Sequence, residues 1–448
     1  MFATVLLAAP LLPFIVNTPI TRPITVIEHV RVIDGTGRAP IENATVVIDG
    51  DKIVSVSTKK PLTVAKGAKV IDATGETLMP GIINAHGHLG LVEGAKNSAT
   101  AYTEENVLAA LRAYERYGVT TMLSLGCNRD LIYPIRSRQQ AGDLDGASVF
   151  VADRGIGVPD GAPPLPLAAD QIYRPATAEE ARQDVQAAAA QHTNFIKIWV
   201  DNLSGAKPKM QPEIYLAVID EAHRHKIPVA AHVYALADAK VLVNAGVDVL
   251  AHSVRDTIVD QELIHAMKQQ GTFYLPTFTV DQSFYLFADH PELAHDPFLE
   301  NAANAETLAM LRDDNYRKGI EQNAATAHHR QDFANAQHNL KLLHDAGIKV
   351  GLGTDSGAMP TRIPGFAEHQ ELEWMVAAGL TPVEAIHSAT EVNAEMLGIA
   401  ERIGTIERGK QADMILLSAN PADDIHNTRK LIRIWHNGRE VEPAVKTK

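Results

Sequence analysis

The chain has 448 residues, of which 46% are hydrophobic and 21% are charged, and its formal net charge is -13. This composition is typical of a globular protein with a sizeable core, and the length suits one large domain with a smaller one. The acidic charge and the lack of a basic stripe argue against nucleic-acid binding, and the single cysteine, Cys127, excludes an internal disulfide.

The N-terminal segment, residues 1–20, begins with an uncharged and mostly apolar run. Its length is typical of the core of a signal peptide and is short for a membrane span, although no basic leader precedes it. An export signal would place the protein in the periplasm or outside the cell, whereas an apolar tail or strand would leave it cytoplasmic. Both interpretations stay open, and no membrane span is expected.

Both chain ends contain short alternating strands separated by turn signals. The predicted strands are Thr25–Val32, Ala44–Ile48, Lys52–Ser57, Lys69–Asp72, Met414–Leu417 and Ile432–His436. Asn437-Gly438 follows the last strand and is a favoured tight hairpin turn. We expect residues 21–79 and 404–448 to build one small β-sandwich domain, into which the centre of the chain is inserted.

The centre of the chain, residues 80–403, alternates strands with helices. The predicted strands are Ile82–His86, Thr120–Leu125, Ser148–Ala152, Phe195–Val200, Val229–His232, Val247–His252, Phe273–Thr277 and Val350–Thr354. Eight such units predict an α/β fold, a distorted (β/α)8 TIM barrel, with its chemistry at the C-terminal strand ends. A helical insertion of about residues 280–345 interrupts the rhythm and is interpreted either as a lid or substrate wall, or as a helical excursion or oligomer contact.

His86 and His88 stand at the end of the first predicted barrel strand. Because side chains alternate between the two faces of a strand, both imidazoles point the same way. Two converging imidazoles suit a divalent metal. The pair alone is a weak signal in a chain with 19 histidines.

Further ionisable side chains stand in or just after later strands. They are Lys197 in the fourth strand, His232 and His252 at the ends of the fifth and sixth, and Asp355 after the eighth. Burying a polar group at the end of an apolar run costs free energy unless the group is paired or bound to a metal. Six such groups in register with the barrel period are hard to explain by packing alone, although Lys197 taken singly also fits an inward-facing structural residue.

Three stretches carry a family resemblance. They are Val32–Gly37, Leu78–His88 and Gly404–Asp413, the last followed by Asn420-Pro421. In these stretches the chain resembles the amidohydrolase superfamily of metal-dependent hydrolases. The similar branch contains imidazolonepropionase-like and Xaa-Pro dipeptidase (prolidase)-like enzymes, together with ochratoxin-degrading amidases.

The resemblance implies a site with two divalent metal ions. The implied ligands are His86, His88 and Asp355 for the more buried ion and His232 and His252 for the more exposed ion. Lys197 would bridge both ions as an N6-carboxylysine formed with carbon dioxide, because a carbamate is an anion whereas an ammonium would be repelled. Zn2+ is favoured by the nitrogen and oxygen ligands, and manganese, cobalt and iron stay open.

The resemblance also implies catalytic roles. Asp355 would take a proton from the attacking water and pass it to the leaving amine, while the metals activate the water and polarise the carbonyl. His252 is also predicted to be a catalytic residue. Tyr234, two residues after His232, is predicted to donate a hydrogen bond to the substrate carbonyl, with simple packing as the alternative.

Substrate contacts are also predicted for Asn128, Arg129 and Arg154, which follow the second and third strands. The planar fork of an arginine suits a carboxylate.

The predicted function is hydrolysis of an amide bond in a small molecule, such as an Xaa-Pro dipeptide, an N-acyl amino acid or an ochratoxin-like amide. The protein is expected to be a homo-oligomer. One alternative is a cyclic-amide hydrolase or deaminase resembling imidazolonepropionase, whose relatives generally lack the bridging lysine. The other is a non-catalytic metal-binding barrel, against which Asp355 argues because binding alone needs no base.

Overall fold

The computed structural model describes residues 24–59 and 67–445. The predictions for the N-terminal segment, residues 1–20, therefore fall outside the described residues. The strands are, in chain order, β1 Thr25–Val32, β2 Ile41–Asp49, β3 Lys52–Ser57, β4 Lys69–Asp72, β5 Thr77–Pro80, β6 Ile82–Gly87, β7 Val92–Glu93, β8 Lys96–Asn97, β9 Val119–Ser124, β10 Ser148–Val151, β11 Ile196–Trp199, β12 Val229–His232, β13 Val249–Ala251, β14 Phe273–Leu275, β15 Met414–Leu417, β16 Leu431–His436 and β17 Arg439–Val441.

The helices separate these strands and fill the insertion. They are α1 Glu104–Arg116, α2 Ile132–Gln140, α3 Ala178–Ala190, α4 Pro212–Arg224, α5 Leu236–Asn244, α6 Gln261–Gln270, α7 Thr279–Gln282, α8 Leu286–Asp289, α9 Pro297–Glu300, α10 Ala305–Arg312, α11 Asp314–Glu321, α12 Ala325–Asp345, α13 Phe366–Ala377, α14 Pro382–His387 and α15 Asn393–Met396.

Local sequence signals explain where several helices begin and end. Thr177 caps α3 by accepting a hydrogen bond from the Glu180 backbone N–H, and the Glu180 carboxylate accepts one from the Thr177 N–H in return. Helix α4 starts with Pro212 in its first turn, where a missing N–H costs nothing. Helix α6 ends at Gly271, whose φ of 71° lies in the left-handed region.

The strands of both chain ends join in one mixed eight-stranded sheet. Its order is β17-β16-β15-β5-β1-β2-β3, and β4 also pairs with β1. Because β1 pairs with β2, β4 and β5, the strands of the predicted sandwich are connected as one sheet rather than two separate ones. The predicted hairpin at Asn437-Gly438 is confirmed, with φ values of 52° and 67° between the antiparallel β16 and β17.

The central strands are parallel and alternate with helices. Strands β10, β9 and β6 form one sheet, and β11, β12, β13 and β14 form another. Strands β6, β9, β11 and β13 are buried along their whole length, as expected for parallel strands covered on both faces. The side chains that follow neighbouring parallel strands therefore meet at one edge.

Residues 350–354 do not form the regular strand that the sequence predicts. The segment is linked to β14 by one backbone hydrogen bond, from Gly351 to Tyr274, and to β6 by two, from Ala85 to Leu352 and from Thr354 to His86. The side chain of Asn393 takes over part of the ladder, because its Nδ2 donates to the carbonyls of Ile83 and Leu352. A Cβ on Gly351 would lie 2.2 Å from the Asn393 Oδ1, so the glycine makes this close approach possible.

The predicted insertion is helical and contains α7 to α12. Its longest helix, α12, has 21 residues and lies beside α7 and α13. Residues of α12 contact the segment that follows β12, at the edge where the candidate ligands lie. Over the described ranges, no helix has both the length and the apolar character needed to cross a membrane.

Candidate metal centre

The end of β6 brings His86 and His88 to one carboxylate. Their Nε2 atoms lie 3.2 and 2.9 Å from the Oδ1 atom of Asp355. All three side chains are buried, and their ligand atoms lie within 4.8 Å of one another. This arrangement of two imidazoles and one carboxylate can hold a divalent cation.

The backbone holds Asp355 against β6. Its N–H donates to the carbonyl of His86, and the N–H of His88 donates to the carbonyl of Ser356. Asp355 has a φ of 56°, and Gly357 follows with a φ of 80°. A Cβ on Gly357 would lie 2.1 Å from the His88 carbonyl oxygen, so only glycine allows this close packing of the two segments.

His232 and His252 lie beside the first pair of histidines. The ring centroid of His252 is 4.5 Å from that of His86 and 4.4 Å from that of His232. The Nδ1 of His252 forms a 2.7 Å hydrogen bond with the Thr277 hydroxyl, which fixes its ring. The Nε2 of His232 lies 3.7 Å from a carboxylate oxygen of Asp201.

Lys197 is fully buried in β11, and its Nζ has no hydrogen-bond partner among the described residues. Gly126 and Gly155 make room for it, because a Cβ on either would lie within 3.4 Å of the lysine side chain and would collide with Trp199. Burial lowers the pKa of Lys197 to about 7. The amine is therefore readily deprotonated near neutral pH.

The donor atoms of this cluster fit metal ions. Both ring nitrogens of His86, the Nδ1 of His232 and the Nζ of Lys197 are buried without a hydrogen-bond partner in the part of the chain that the structure describes. Burial lowers the pKa of His86 to about 3 and also lowers the pKa of His252, which keeps these rings neutral. Neutral imidazoles with unused lone pairs are metal ligands, and leaving them buried without a partner is costly.

Arg362 is a site residue that no motif or spacing in the sequence identifies. Its guanidinium contacts the Oδ2 of Asp355, and its Nε donates to the Ser283 hydroxyl at 3.0 Å. Burial by itself would raise the pKa of Asp355, but the Arg362 charge and the close His86 and His88 imidazoles hold it well below its ordinary value. In the sequence Arg362 lies in a loop and resembles any surface arginine.

A buried network behind the ligands was also missed. The Glu368 carboxylate accepts hydrogen bonds from Asn84, Thr354 and Ser356 at 2.7 Å each. The Oδ1 of Asn84 accepts one from the His86 backbone N–H. These bonds tie β6 to the Asp355 loop, and a glutamate on a distant helix could not be assigned to them from its position in the sequence.

Tyr234 lies beside the ligands but has partners of its own. Its hydroxyl is 3.0 Å from the Nε2 of His328 and 3.1 Å from the Oδ1 of Asp332, both on α12. Asp332 and Asp281 form a second cluster of possible ligands with His329. The Nε of Arg255 lies 3.2 Å from Asp281 and offsets part of this negative charge. Hydrogen bonding of Tyr234 to a substrate carbonyl stays a prediction.

The other predicted substrate residues are engaged within the fold. The amide of Asn128 is buried and bonds to Tyr102, Ser124 and the carbonyl of Asp153. The Arg129 side chain pairs with Asp170 at 2.8 Å. The Arg154 side chain pairs with Asp130 at 3.0 Å and lies over the ring of Tyr173. Substrate contact by Asn128, Arg129 and Arg154 stays a prediction.

The sequence as a whole defines the class of protein. The sequence pattern that defines the amidohydrolase family matches residues 77–441 of this chain, and this range includes all the candidate ligands. The chain belongs to the amidohydrolase family, whose members generally use metal ions.

Particular relatives can also be named. A protein of Bifidobacterium longum assigned as a prolidase has a solved structure with a TM-score of 0.76 and 25% identity, covering 96% of this chain and 97% of its own. A Xaa-Pro dipeptidase with bound methionine in its active site gives a TM-score of 0.74 at 23% identity, covering 94% and 100%. These neighbours imply a TIM-barrel catalytic domain with an additional domain.

Ochratoxinase of Aspergillus niger is similar in sequence. It is 27% identical over 274 residues, which cover 58% of this chain and 49% of ochratoxinase. The match thus spans about half the length of this curated relative.

Proposed function

We propose that the chain is a hydrolase with two metal ions that cleaves an amide bond in a small molecule. Its membership of the amidohydrolase family and its likeness to a Xaa-Pro dipeptidase and to ochratoxinase support this reaction class. The proposed substrates are dipeptides such as Xaa-Pro and N-acyl amino acids, including ochratoxin-like amides.

One observation carries the proposal. Several buried nitrogen atoms of this cluster have no hydrogen-bond partner among the described residues, namely both ring nitrogens of His86, the Nδ1 of His232 and the Nζ of Lys197. The proposed ligands are His86, His88 and Asp355 for one ion, and His232 and His252 for the other, with Lys197 between them. When bound, two divalent ions, proposed to be Zn2+, would polarise the scissile carbonyl and lower the pKa of water.

Lys197 is proposed to become an N6-carboxylysine. Its neutral amine would attack carbon dioxide, so that a carbon–nitrogen bond forms and one proton leaves, and the resulting anion has two oxygen ligands. The lowered pKa of about 7 and the absence of a partner at Nζ among the described residues support this reaction. The nearby Asp355 carboxylate supplies only part of the negative charge that two divalent cations need.

Asp355 is proposed to hold and move the proton. Its Oδ1 faces His86 and His88, while its Oδ2 is held by Arg362, so the carboxylate is fixed at both oxygens. It would accept a proton from the attacking water and return it to the leaving nitrogen, so that the N–H bond forms as the carbon–nitrogen bond breaks.

The proposal extends to the fold of residues 80–403 as one closed barrel beside the domain made from residues 21–79 and 404–448. Backbone hydrogen bonds link the two parallel sheets on one side directly and on the other through residues 350–354. The N–H of Phe195 donates to Val151 on the first side. On the second side, the N–H of Ala85 donates to Leu352 and the N–H of Gly351 donates to Tyr274. These bonds support closure of the barrel. The chain is also proposed to form a homo-oligomer.

The test is to purify the protein, measure its metal content and assay Xaa-Pro dipeptides and N-acyl amino acids. We expect two ions per chain, with turnover that is lost on chelation and regained on adding Zn2+. Absence of turnover on every amide despite two bound ions would refute the hydrolase proposal. The alternative of a cyclic-amide hydrolase or deaminase predicts no carbamate signal at Lys197 after growth with 13C-labelled bicarbonate, and the non-catalytic barrel predicts bound metal without any activity.

A further inference from the structure

Glu371 on α13 is a fully buried carboxylate that no step of the proposed reaction uses. Its Oε1 accepts a hydrogen bond from the Phe278 N–H at 2.6 Å. Its Oε2 accepts two, from the Thr279 N–H at 2.9 Å and from the Thr279 hydroxyl at 2.7 Å. Burial raises the pKa of Glu371 to about 8, so keeping a carboxylate here costs free energy. The donors that partly offset this cost all belong to one short segment, residues 278–279.

The segment that Glu371 holds directly follows Thr277, whose backbone is strained. Thr277 has a φ of 46°, a left-handed conformation that is unfavourable for a β-branched residue. Such a conformation persists only where the surrounding contacts impose it. The Val280 N–H closes the turn by donating to the Thr277 carbonyl at 3.0 Å. The hydrogen bonds of Glu371 to the next two backbone N–H groups are further contacts that hold Thr277 in this conformation.

Thr277 in turn holds a proposed metal ligand. Its hydroxyl lies 2.7 Å from the Nδ1 of His252, and both side chains are buried. His252 has a left-handed φ of 82°, so it has already left the regular strand conformation of β13. An imidazole whose Nδ1 is engaged by a hydroxyl offers its Nε2 to a metal, and partners of this kind set the orientation of metal-binding histidines. The ring of His252 therefore depends on where the Thr277 hydroxyl stands.

We propose that Glu371 is a positioning residue for His252. The carboxylate fixes the backbone of residues 278–279, this backbone fixes the conformation of Thr277, and the Thr277 hydroxyl fixes the ring of His252. The inference rests on the proposed function, because the position of the ring matters only if His252 binds the more exposed ion. Glu371 forms no hydrogen bond with a proposed ligand among the described residues, so its effect on the ion passes through Thr277.

Glu371→Gln is the variant that tests this chain of contacts. Glutamine keeps the size of the side chain but has one acceptor oxygen, so its NH2 group faces the N–H of either Phe278 or Thr279 and the segment has to move. Glu373→Gln is the matched control. It makes the same change two residues further along α13, at a buried carboxylate that pairs with Arg429 instead. Circular dichroism and denaturant unfolding report whether each variant is folded.

The test measures Zn2+ binding to the metal-free full chain by competition with a chromophoric chelator, which needs no turnover. In Glu371→Gln the affinity for one of the two ions should fall by about 10–100-fold, as for other residues that orient metal ligands, while Glu373→Gln keeps both affinities. Thr277→Val removes the hydroxyl that contacts His252 and should cause the same loss, whereas Thr277→Ser should keep the affinity. Glu371→Gln and Thr277→Val together should lose no more than either one alone, because both act on the same contact.

Unchanged Zn2+ affinities in Glu371→Gln, equal losses in Glu371→Gln and Glu373→Gln, or additive losses with Thr277→Val would overturn the positioning role. A wild type that hydrolyses amides while Glu371→Gln keeps both affinities would retain the proposed function and lose this inference. A selective loss of one ion from Glu371→Gln, in a protein whose wild type turns over no amide, would do the reverse. A wild type that binds fewer than two zinc ions would overturn the positioning role together with the two-metal centre.

Discussion

Asp355 faces two kinds of partner with its two oxygens. Oδ1 lies at hydrogen-bond distance from His88 and near His86, and Oδ2 contacts the buried Arg362. The carboxylate is thus oriented before any ligand arrives, and its geometry suits a group that binds metal on one side and handles a proton.

Asp355→Asn tests the proton role at the residue scale. The amide keeps the size and some hydrogen bonds but cannot accept a proton, so turnover should fall by roughly 10²–10⁴ while the circular dichroism spectrum stays native. Asp145→Asn, at an exposed ion pair with Arg439, is the control and keeps full turnover. Turnover of Asp355→Asn within tenfold of the wild type would contradict the role.

Lys197→Met tests whether the lysine is kept for metal binding at a cost to stability. Its buried amine lacks a hydrogen-bond partner in the described part of the chain, so the substitution should raise the unfolding free energy of the metal-free protein by about 1–2 kcal/mol. Its metal content should fall and its turnover should be lost. Lys318→Met on the exposed face of α11 is the control, and a destabilised metal-free Lys197→Met protein would contradict the account.

The sequence could predict these residues because each one interrupts an apolar run at a strand end. His86, His88, His232 and His252 need only the barrel period to be placed together. Arg362 was missed because nothing in its local sequence distinguishes it from a surface residue. Its role depends on contacts with Ser283 and Asp355 that only the folded chain creates.

At the scale of elements, the Asp355 loop depends on its fit against β6. Gly357→Ala should have two unfavourable effects. It places an alanine at a left-handed φ of 80°, and its Cβ would lie only 2.1 Å from the His88 carbonyl oxygen. Gly347, at the end of α12, has a nearly identical φ of 79° but nothing within 4 Å, so Gly347→Ala isolates the backbone strain.

Gly347→Ala should cost about 1 kcal/mol of unfolding free energy and leave metal binding intact. Gly357→Ala should cost more and should weaken metal binding, because relief of the clash moves His88. Denaturant unfolding and metal titration measure the two effects. If the two variants lose equal unfolding free energy and keep their metal affinity, the contact between the Asp355 loop and β6 is unimportant.

The helical insertion shows where prediction of elements stops. Its helices were expected from their pattern, but whether it is a lid, a substrate wall or an oligomer contact depends on tertiary packing. In the structure Asp332 of α12 holds the hydroxyl of Tyr234. The segment of residues 350–354 differs from the predicted strand for a similar reason, because the distant side chain of Asn393 replaces part of its ladder.

At the scale of the whole molecule, a buried ion pair connects the sheet of the chain ends to the central strands and helices. The Nδ1 of His436 on β16 lies 2.7 Å from a carboxylate oxygen of Glu115 on α1. The Nε2 of His436 forms a hydrogen bond with the hydroxyl of Ser148, the first residue of β10. Asp413 and Arg439 are the other charged groups near this ring. Burial opposes protonation, but Glu115 and Asp413 raise the pKa of His436 above its ordinary value of 6.5.

This pair predicts a pH dependence of stability. Since the folded pKa of His436 is raised, its stabilising contribution is complete below pH 6.5 and is lost as the pH rises through the folded pKa. His436→Gln should therefore cost roughly 3–5 kcal/mol at low pH, because Glu115 stays buried without a cation, and less at alkaline pH. Denaturant unfolding of both proteins from pH 5.5 to 9 measures the difference, and a constant difference would contradict the assignment.

We propose that separate strand ends meet around two metal ions. Anomalous diffraction from crystals grown with Zn2+, recorded at the zinc edge, can locate these ions. Two peaks are expected, one between His86, His88 and Asp355 and the other beside His232 and His252, with density for a carboxylated Lys197 between them. Zinc-loaded crystals with no peak among these residues, or with Lys197 directed away from them, would contradict it.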